Sequence, residues 1–461
     1  MMCLALAVMS MVMALTLLGI PMHRVVRQNT GAFMARPPSL QECLQRIHQP
    51  CLTPAQVRAA YGIDTLLRCG ITGRGRTIAI VDAFGSPTIR ADLHGFDAAF
   101  GLPDPQFQVM APLGAPRLRN PGWASETTLD VEWAHAIAPR ARIVLLESPV
   151  NETEGVQGLP EFLTLERYAL RHHLADVISQ SWDATEDTLF DVAGRAIVAQ
   201  FHAFYAEAIR QGVTIVASSG DTGTTGFNLS LSHLYAYPVV QYPASDPYVL
   251  AVGGTHLVVN GQGQSDDELA WVGSGGGASK LFPEPAYQRS LPSVTQRLLR
   301  GQRNLPDVAY NAGTPMLMYR EGMWNFAVGT SAGAPQWAGL IALADDAAGH
   351  DLGLVNLALY RLAASPRYRT VLHDIVRGSI NGPTLGHPGG SARPGWDITT
   401  GLGSPRAGLV PALIETSVAS ASSRPATVPA PPGCLAHGDG SSGPPAATTS
   451  TEAAKRFNNR Q

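Results

Sequence analysis

Positive charge is scarce in this chain and is never concentrated. Of 461 residues, 33 are lysine or arginine, the formal net charge is -3, and no basic run of any length occurs. Proteins that bind nucleic acids usually present a clustered basic surface to the phosphates. The sequence therefore argues against a nucleic-acid partner. It also contains no convincing internal repeat.

Cysteine is rare as well, with five in the whole chain. No two of them have the spacing of a metal site. If residues 1–22 are removed, four cysteines remain, an even number that fits an oxidising compartment and allows up to three pairings, with free thiols as the alternative. The four are Cys43, Cys51, Cys69 and Cys434.

The longest apolar run lies at the N-terminus, in residues 1–22. It is long enough to be a secretory signal peptide or a single membrane span. No basic residue precedes it, whereas Arg24 and Arg27 follow, which is not the usual pattern of a signal peptide. We expect a secreted or extracellular protein. A retained segment would anchor it to a membrane through these residues alone, and a misassigned start or a chance run is the third alternative.

The rest of the chain divides by composition. Hydrophobic residues make up 45% of the sequence, enough for a large core. Residues 23–50 have little periodicity and are interpreted as a linker, and residues 51–416 as the folded domain. Residues 417–461 are rich in Ala, Ser, Pro, Thr and Gly and predict a disordered tail.

Within the domain, short apolar runs alternate with helical patterns. This alternation predicts a doubly wound α/β fold with a parallel sheet, in which ligands bind beyond the carboxyl ends of the strands. Asp82, Ser181 and Asp221 stand at such ends. The predicted strands are Thr77–Asp82, Ala141–Glu147, Asp176–Ser181 and Val213–Ser219, and the predicted helices are Pro54–Arg58, Pro87–Phe100, Phe162–His173 and Val192–Gln211.

Ser331 is the candidate nucleophile. It lies in Gly-Thr-Ser-Ala-Gly-Ala-Pro, residues 329–335, ahead of an apolar run that predicts a buried helix. Gly329 permits a sharp turn, and the N-H groups of a helix start favour developing negative charge. An ordinary turn before a core helix is the alternative.

Two carboxylates share one face of a predicted helix that runs from Ser125, as its cap, to Pro139. Glu126 and Asp130 are four residues apart, a spacing at which like charges destabilise a helix. They form either a solvated acidic face or a coupled pair that shares a proton and leaves one member available as a base.

Asp221 follows a predicted buried strand and stands between glycines. Aspartate is common in such turns. The alternative is a carboxyl that stays protonated and donates a hydrogen bond to an oxyanion.

Together these motifs resemble the sedolisins, the serine-carboxyl peptidases that share the subtilisin fold. The resemblance covers about residues 51–413. It is carried by Glu126–Pro139, Ser219–Asp221, Tyr242–Pro247, Val252–Thr255, Ser274–Gly277, Leu305–Val308, the Ser331 motif and Gly395–Asp397.

The resemblance implies a single large subtilisin-like catalytic domain, with helices on both faces of the sheet, that acts on proteins or peptides as a monomer. Ser331 would be the nucleophile, Glu126 its general base, Asp130 the partner that orients Glu126, and Asp221 the oxyanion acid. A glutamate base and a protonated aspartic acid coexist most readily at low pH, so we expect an acid-active endopeptidase.

The resemblance also implies one structural calcium ion. Carboxylates from Asp374 and Asp397 and main-chain oxygens from Ile375, Arg393 and Gly395 would supply the oxygen ligands that calcium prefers. A glycine-rich turn with surface acids is the alternative.

Three features depart from the family pattern. A long N-terminal activation domain is typical of the family, but here only the predicted linker separates the apolar segment from the domain. Asp183 stands where a glycine is frequent, and the tail has no counterpart. These departures keep an inactive sedolisin-like peptide-binding or surface module as the alternative. A subtilisin-type Ser-His-Asp site built on Asp82 and His94 is disfavoured by spacing. We expect His94 to be a surface residue of a helix and His135 to be a packed or capping one.

Overall fold

A computed structural model describes residues 33–34, 36–292, 295, 299–380 and 389–421. The apolar segment 1–22 and most of the predicted tail lie outside these ranges. Within the described part, no helix has both the length and the apolar character needed to cross a membrane.

The helices and strands follow the predicted alternation through the first two thirds of the domain. The helices are α1 Leu40–Ile47, α2 Pro54–Ala60, α3 Ile63–Arg68, α4 Ile89–Phe100, α5 Pro121–Ile137, α6 Leu159–Arg171, α7 Val192–Arg210, α8 Gly333–Ala348, α9 Val355–Ala363, α10 Tyr368–Val371 and α11 Leu409–Ala421. The first nine strands are β1 Phe33–Met34, β2 Thr77–Ala83, β3 Phe107–Met110, β4 Arg142–Ser148, β5 Val177–Gln180, β6 Ala184–Thr185, β7 Thr214–Ser218, β8 Gln241–Tyr242 and β9 Val249–Val259. The remaining strands are β10 Ser265–Ala270, β11 Gly277–Pro283, β12 Gln302–Leu305, β13 Val308–Asn311, β14 Met316–Arg320, β15 Met323–Ala327, β16 Leu372–His373 and β17 Ser404–Pro405.

The central sheet has eight strands in the order β10-β9-β7-β5-β2-β4-β3, with β13 also paired to β9. All of its pairings are parallel except that of β10 with β9. The predicted parallel α/β sheet is therefore confirmed.

Helices cover both faces of this sheet, because alternate residues of β2 enter two different cores. Ile78 and Ile80 join the core that contains Leu129 of α5 and Trp337 of α8. Ala79 and Val81 join the core on the other face, whose largest side chains include Phe162 of α6 and Phe201 of α7. Strands buried on both faces read as continuous apolar runs, which is why the sequence indicates them clearly.

Part of the predicted linker is folded, so the interpretation of residues 23–50 as a linker is wrong for residues 40–47. There α1 begins with a capping box between Ser39 and Glu42. Cys43 of this helix is fully buried and forms a disulfide bond with Cys51, which selects one of the open pairings. The helix has only eight residues, and a pattern this short is hard to recognise among prolines and glutamines.

The folded part also extends slightly past the predicted boundary at its C-terminus. Helix α11 runs through residues 417–421, which we predicted as the start of a disordered tail. Residues 422–461 lie outside the described part of the chain.

Candidate active site

The carboxyl ends of β5 and β7 lie side by side, since Gln180 is in parallel register with Ala217. The segments that continue these strands, Ser181–Asp183 and Ser219–Asp221, therefore leave the sheet together. The turn that carries Ser331 packs against β7 and against α5. This edge of the sheet is where the sequence places the site.

Ser331 occupies a short 3-10 turn, Thr330–Ala332, that leads directly into α8. Its residue surface is 9% exposed, so it is largely enclosed but still accessible to a substrate. Gly329 begins the turn with φ 132°, a backbone conformation that residues other than glycine rarely adopt. The predicted sharp turn ahead of a buried helix is confirmed.

Asp221 is held against this turn. Its Oδ1 accepts hydrogen bonds from the Thr330 backbone N-H at 2.7 Å and from the Thr330 hydroxyl at 2.8 Å. A Cβ atom on Gly329 would lie 2.6 Å from Asp221 Oδ2, so only a glycine leaves space for the carboxyl group. The structure thus brings Asp221 to the residue that precedes Ser331.

Glu126 and Asp130 lie one turn apart on α5, and both are buried, with 1% and 0% exposure. A solvated acidic face is therefore the wrong interpretation of the pair. The Ser181 hydroxyl donates to Asp130 Oδ1 at 3.0 Å and lies 3.4 Å from the Ser331 carbonyl oxygen. Ser181 thus connects the carboxylate helix to the nucleophile turn, a role the sequence did not indicate beyond its place at a strand end.

The start of α5 differs from the prediction. Asn120 is the N-cap, accepting from the backbone N-H groups of Gly122 and Trp123, and Pro121 follows at the first helical position. Ser125, which we predicted as the cap, lies inside the helix, and its hydroxyl donates to the Pro121 carbonyl at 3.0 Å. A Ser/Glu dipeptide resembles a helix start, but the Asn-Pro pair before it is the stronger signal.

A second acidic pair lies where β2 and β4 end. Asp82 is fully buried and stands in register with Glu147. Burial, and then the Asp82 charge, raise the pKa of Glu147 to about 7. The Glu147 carboxyl therefore holds its proton more tightly than an exposed glutamate does.

The two histidines considered for a Ser-His-Asp site have other partners. His94 is exposed and lies 2.9 Å from Asp104, as expected of a surface residue. His135 is fully buried on α5 and lies 3.2 Å from Asp97 of α4, as expected of a packed one. These contacts give neither histidine a role at the Ser331 turn.

Four of the five predicted calcium ligands contact one another in two pairs. The Gly395 N-H donates to both carboxylate oxygens of Asp374, at 3.0 and 3.1 Å, and the Arg393 N-H donates to Asp397 at 2.8 Å. Asp397 is 2% exposed, and burial is the main cause that raises its pKa. Within the described ranges, no group of three or more His, Cys, Asp or Glu side chains could hold a metal ion.

Two carboxylates suit a hard cation where main-chain oxygens can complete its coordination. The one ion pair of Asp374 within the described residues is with Arg369, at 3.9 Å, and the Arg369 side chain is 77% exposed. The Asp397 carboxylate also accepts hydrogen bonds from the N-H groups and hydroxyls of Thr399 and Thr400. Asp374 and Asp397 therefore offer two side-chain ligands, and a calcium site here would depend on main-chain oxygens for the rest.

The segment Leu305–Val308, one of those that carry the resemblance, has a structural role. Asp307 is fully buried and accepts from both terminal nitrogens of Arg303 at 2.6 Å, from the Asn356 amide and from the Tyr360 hydroxyl. This network holds β13 beside β9 behind the site.

Comparison with known proteins decides the family. Residues 124–356, about half of the chain, match the Subtilase family. The chain belongs to the subtilases, in their sedolisin branch. It is 33% identical over 404 residues to Kumamolisin from Bacillus sp. (strain MN-32), covering 84% of this chain and 66% of that protein. It is 29% identical over 362 residues to Sedolisin from Pseudomonas sp. (strain 101), covering 72% of this chain and 57% of that protein.

A third relative of this subtilase is Tripeptidyl-peptidase 1 from Homo sapiens, 28% identical over 317 residues, covering 63% of this chain and 51% of that protein. The chain therefore spans between half and two thirds of these relatives. Among solved structures, Pseudomonas sedolisin complexed with two molecules of pseudo-iodotyrostatin gives a TM-score of 0.66 at 24% identity, covering 81% of this chain and 99% of that one. This likeness confirms the subtilisin-like fold.

Proposed function

We propose that the chain is an acid-active serine-carboxyl endopeptidase. The observation that carries the proposal is the contact of Asp221 with the turn of Ser331, at 2.7 Å to the Thr330 N-H. It places a carboxyl group beside a serine at a helix start. The buried pair Glu126 and Asp130 supplies candidate bases on the adjoining helix.

In the first half of the reaction, Ser331 Oγ attacks the carbonyl carbon of the peptide bond while Glu126 takes the hydroxyl proton. Asp221, in its protonated form, donates a hydrogen bond to the oxygen that becomes negative. The carbon-nitrogen bond then breaks, and Glu126 returns the proton to the leaving amine. An acyl ester on Ser331 remains.

In the second half, a water molecule gives a proton to Glu126 and attacks the ester carbonyl. The ester bond breaks and Ser331 recovers its proton, so the carboxylic product leaves and the starting state is restored. Asp130 orients Glu126, and the hydrogen bond from Ser181 at 3.0 Å fixes Asp130 in turn.

Low pH suits this arrangement, because Asp221 acts as a donor only when it is protonated. An unperturbed aspartic acid has a pKa of about 3.9 and a glutamic acid one of about 4.3. We therefore expect the greatest rate in acid and a loss of activity toward neutral pH.

Calcium would bind Asp374, Asp397 and the main-chain oxygens of Ile375, Arg393 and Gly395. A bound ion would neutralise the two acids and link the two segments that carry them. The hydrogen bonds of Asp374 to Gly395 and of Asp397 to Arg393 support this assignment, because they hold both acids at the segment that would supply main-chain oxygens.

We place the enzyme outside the cell or, if residues 1–22 are retained, at its surface. The Cys43–Cys51 disulfide supports an oxidising compartment.

The test is hydrolysis of a mixed peptide library by the full chain and by its Ser331→Ala variant, at about pH 4 and about pH 7.5, either side of the glutamate and histidine ranges. Cleavage in acid that the variant loses supports the proposal. Cleavage strongest at neutral pH points to a histidine base. Folded protein that cleaves nothing at either pH points to a peptide-binding module.

A further inference from the structure

Two Arg-x-Arg segments that are far apart in the sequence meet at the edge of the sheet opposite the candidate active site. Arg74 and Arg76 precede β2, and Arg140 and Arg142 lie at the start of β4. Because β2 and β4 are parallel neighbours, these starts adjoin, and the Arg142 N-H donates to the Arg76 carbonyl at 2.8 Å. The fold thus concentrates four arginines in a chain whose sequence has no basic run.

All four arginines line one surface cavity of about 490 Å³. Among the described residues that line it, Asp104 is the one acid, and its carboxylate is engaged with His94 Nδ1 at 2.9 Å. The volume lies in the range of small-molecule sites and is too small for a nucleic-acid duplex. The other lining residues are Gly75, Thr77, Pro105, Gln106 and Pro139.

Two of the arginines have a fixed backbone and an exposed side chain. Within the described ranges, neither Arg74 nor Arg140 forms an ion pair with an acid. The Arg74 N-H donates to Asp346 Oδ2 at 3.1 Å, and the Arg140 N-H donates to the Thr72 carbonyl at 2.9 Å. Asp346 Oδ2 also accepts from the N-H groups of Thr72 and Gly73, so this nearby carboxylate is bound to the main chain. Both guanidinium groups therefore extend from fixed positions in the cavity wall.

The other two arginines have partners that leave donors or charge unused. Arg76 Nη1 pairs with Asp351 at 2.6 Å, but its Nε is buried and has no acceptor among the described residues. Arg142 donates to the side-chain oxygen of Gln108, which is neutral and does not balance its charge. The cavity is therefore lined by more positive than negative charge, which attracts an anion.

Phosphate is the oxyanion that suits this lining in acid. Guanidinium groups bind phosphate through paired N-H donors. A carboxylate ligand loses much of its charge near its ordinary pKa of about 4. A phosphate monoester keeps one negative charge there, because its second pKa is about 6.

We propose that the cavity between the starts of β2 and β4 binds a phosphate group through Arg74, Arg76, Arg140 and Arg142. The phosphate is supplied either free in solution or as a lipid headgroup, since both present the same oxyanion. The site lies at the opposite edge of the sheet from Ser331 and does not depend on the proposed peptidase function.

The test measures binding of inorganic phosphate to the full chain by calorimetry at about pH 5, with sodium chloride keeping the ionic strength constant. A second arm measures co-sedimentation with phosphatidylcholine vesicles that contain or lack phosphatidic acid. The cavity variant carries Arg74→Gln and Arg140→Gln, which remove two exposed charges. The matched control carries Arg117→Gln and Arg119→Gln, in another exposed Arg-x-Arg segment that precedes α5 and does not line the cavity.

We expect the full chain and the control to bind phosphate equally, and the cavity variant to bind it roughly tenfold or more weakly, the size of a hydrogen bond to a charged group. Binding only to phosphatidic acid vesicles, lost in the cavity variant and kept in the control, supports the site and assigns it to a lipid headgroup. Binding of neither ligand, or binding that the cavity variant retains, overturns the inference. Equal weakening in the two double variants also overturns it, because the effect would then be one of net charge.

Discussion

At the scale of single residues, Gly329 makes the candidate oxyanion site possible. We predict that Gly329→Ala lowers kcat by about tenfold to a thousandfold, because the new Cβ would lie 2.6 Å from Asp221 Oδ2 and displace the carboxyl group. Steady-state hydrolysis by the folded variant measures the effect.

Gly349→Ala is the control for this substitution. Gly349 also has a positive φ, 73°, but a Cβ there meets nothing within 4 Å. It should cost about 1–2 kcal/mol of stability through backbone strain and leave kcat unchanged. Equal activities for the two variants would contradict the role assigned to Gly329.

The sequence predicted the residues of the site better than their surroundings. Ser331 lies in a glycine-bounded turn before a buried helix, and Asp221 lies in a glycine-bounded turn after a buried strand. Such turns can be recognised from a few neighbouring residues. The burial of Glu126 and Asp130 was not predictable from their spacing, since a solvated acidic face has the same pattern. Their burial depends on the packing of α5 against the Ser331 turn and α8, which is a tertiary contact.

At the scale of elements, the least expected feature is α1, which the Cys43–Cys51 disulfide ties to the start of the domain. We predict that replacing both cysteines with alanine lowers the free energy of unfolding by about 2–3 kcal/mol, the chain-entropy value for so short a loop. Urea unfolding followed by fluorescence measures the change.

Ser39→Ala measures the contribution of the α1 helix cap to stability separately from that of the disulfide. It removes the capping box of α1 and should cost about 1 kcal/mol. If the cysteine variant lost less than the Ser39 variant, the disulfide would contribute little to holding α1 in place.

The sequence predicted the long strands of the parallel sheet but missed the short strands outside it. Strands β2, β4, β5 and β7 are buried on both faces, so their composition alone identifies them. Short pairs such as β6 with β8 have two residues each and form only where distant segments meet. No local pattern specifies such pairs.

At the scale of the whole molecule, buried acids make the fold more stable in acid. Glu166 is fully buried between α6 and the sheet, and burial raises its pKa to about 8. Burial likewise raises the pKa of Glu132 and of Asp345 well above their usual values. The folded state therefore retains protons that the unfolded state releases near pH 4.5.

The sign of the effect follows from this difference. A raised folded-state pKa contributes stability that is complete below the unfolded pKa and is lost as pH rises through the folded value. We predict that the free energy of unfolding falls between about pH 4.5 and 8, by about 1.4 kcal/mol per pH unit for each such proton. Denaturant titrations at several pH values measure the slope.

Glu166→Gln isolates one of these protons. Glutamine keeps the size of the side chain but does not titrate. The slope of the free energy of unfolding between pH 4.5 and 8 should therefore decrease by up to about 1.4 kcal/mol per pH unit, the value for one proton. A slope that is unchanged in this variant would show that Glu166 does not bind its proton more tightly in the folded state.

The central claim is that peptide hydrolysis passes through an ester on Ser331. The most direct measurement is mass spectrometry of the full chain mixed with an activated peptide ester at about pH 4 and quenched in acid within the first turnover. We predict an acyl adduct that maps to Ser331 and is absent from Ser331→Ala. Turnover without any adduct, or an adduct on another residue, would contradict the claim and would point to direct attack by water activated by the carboxylates.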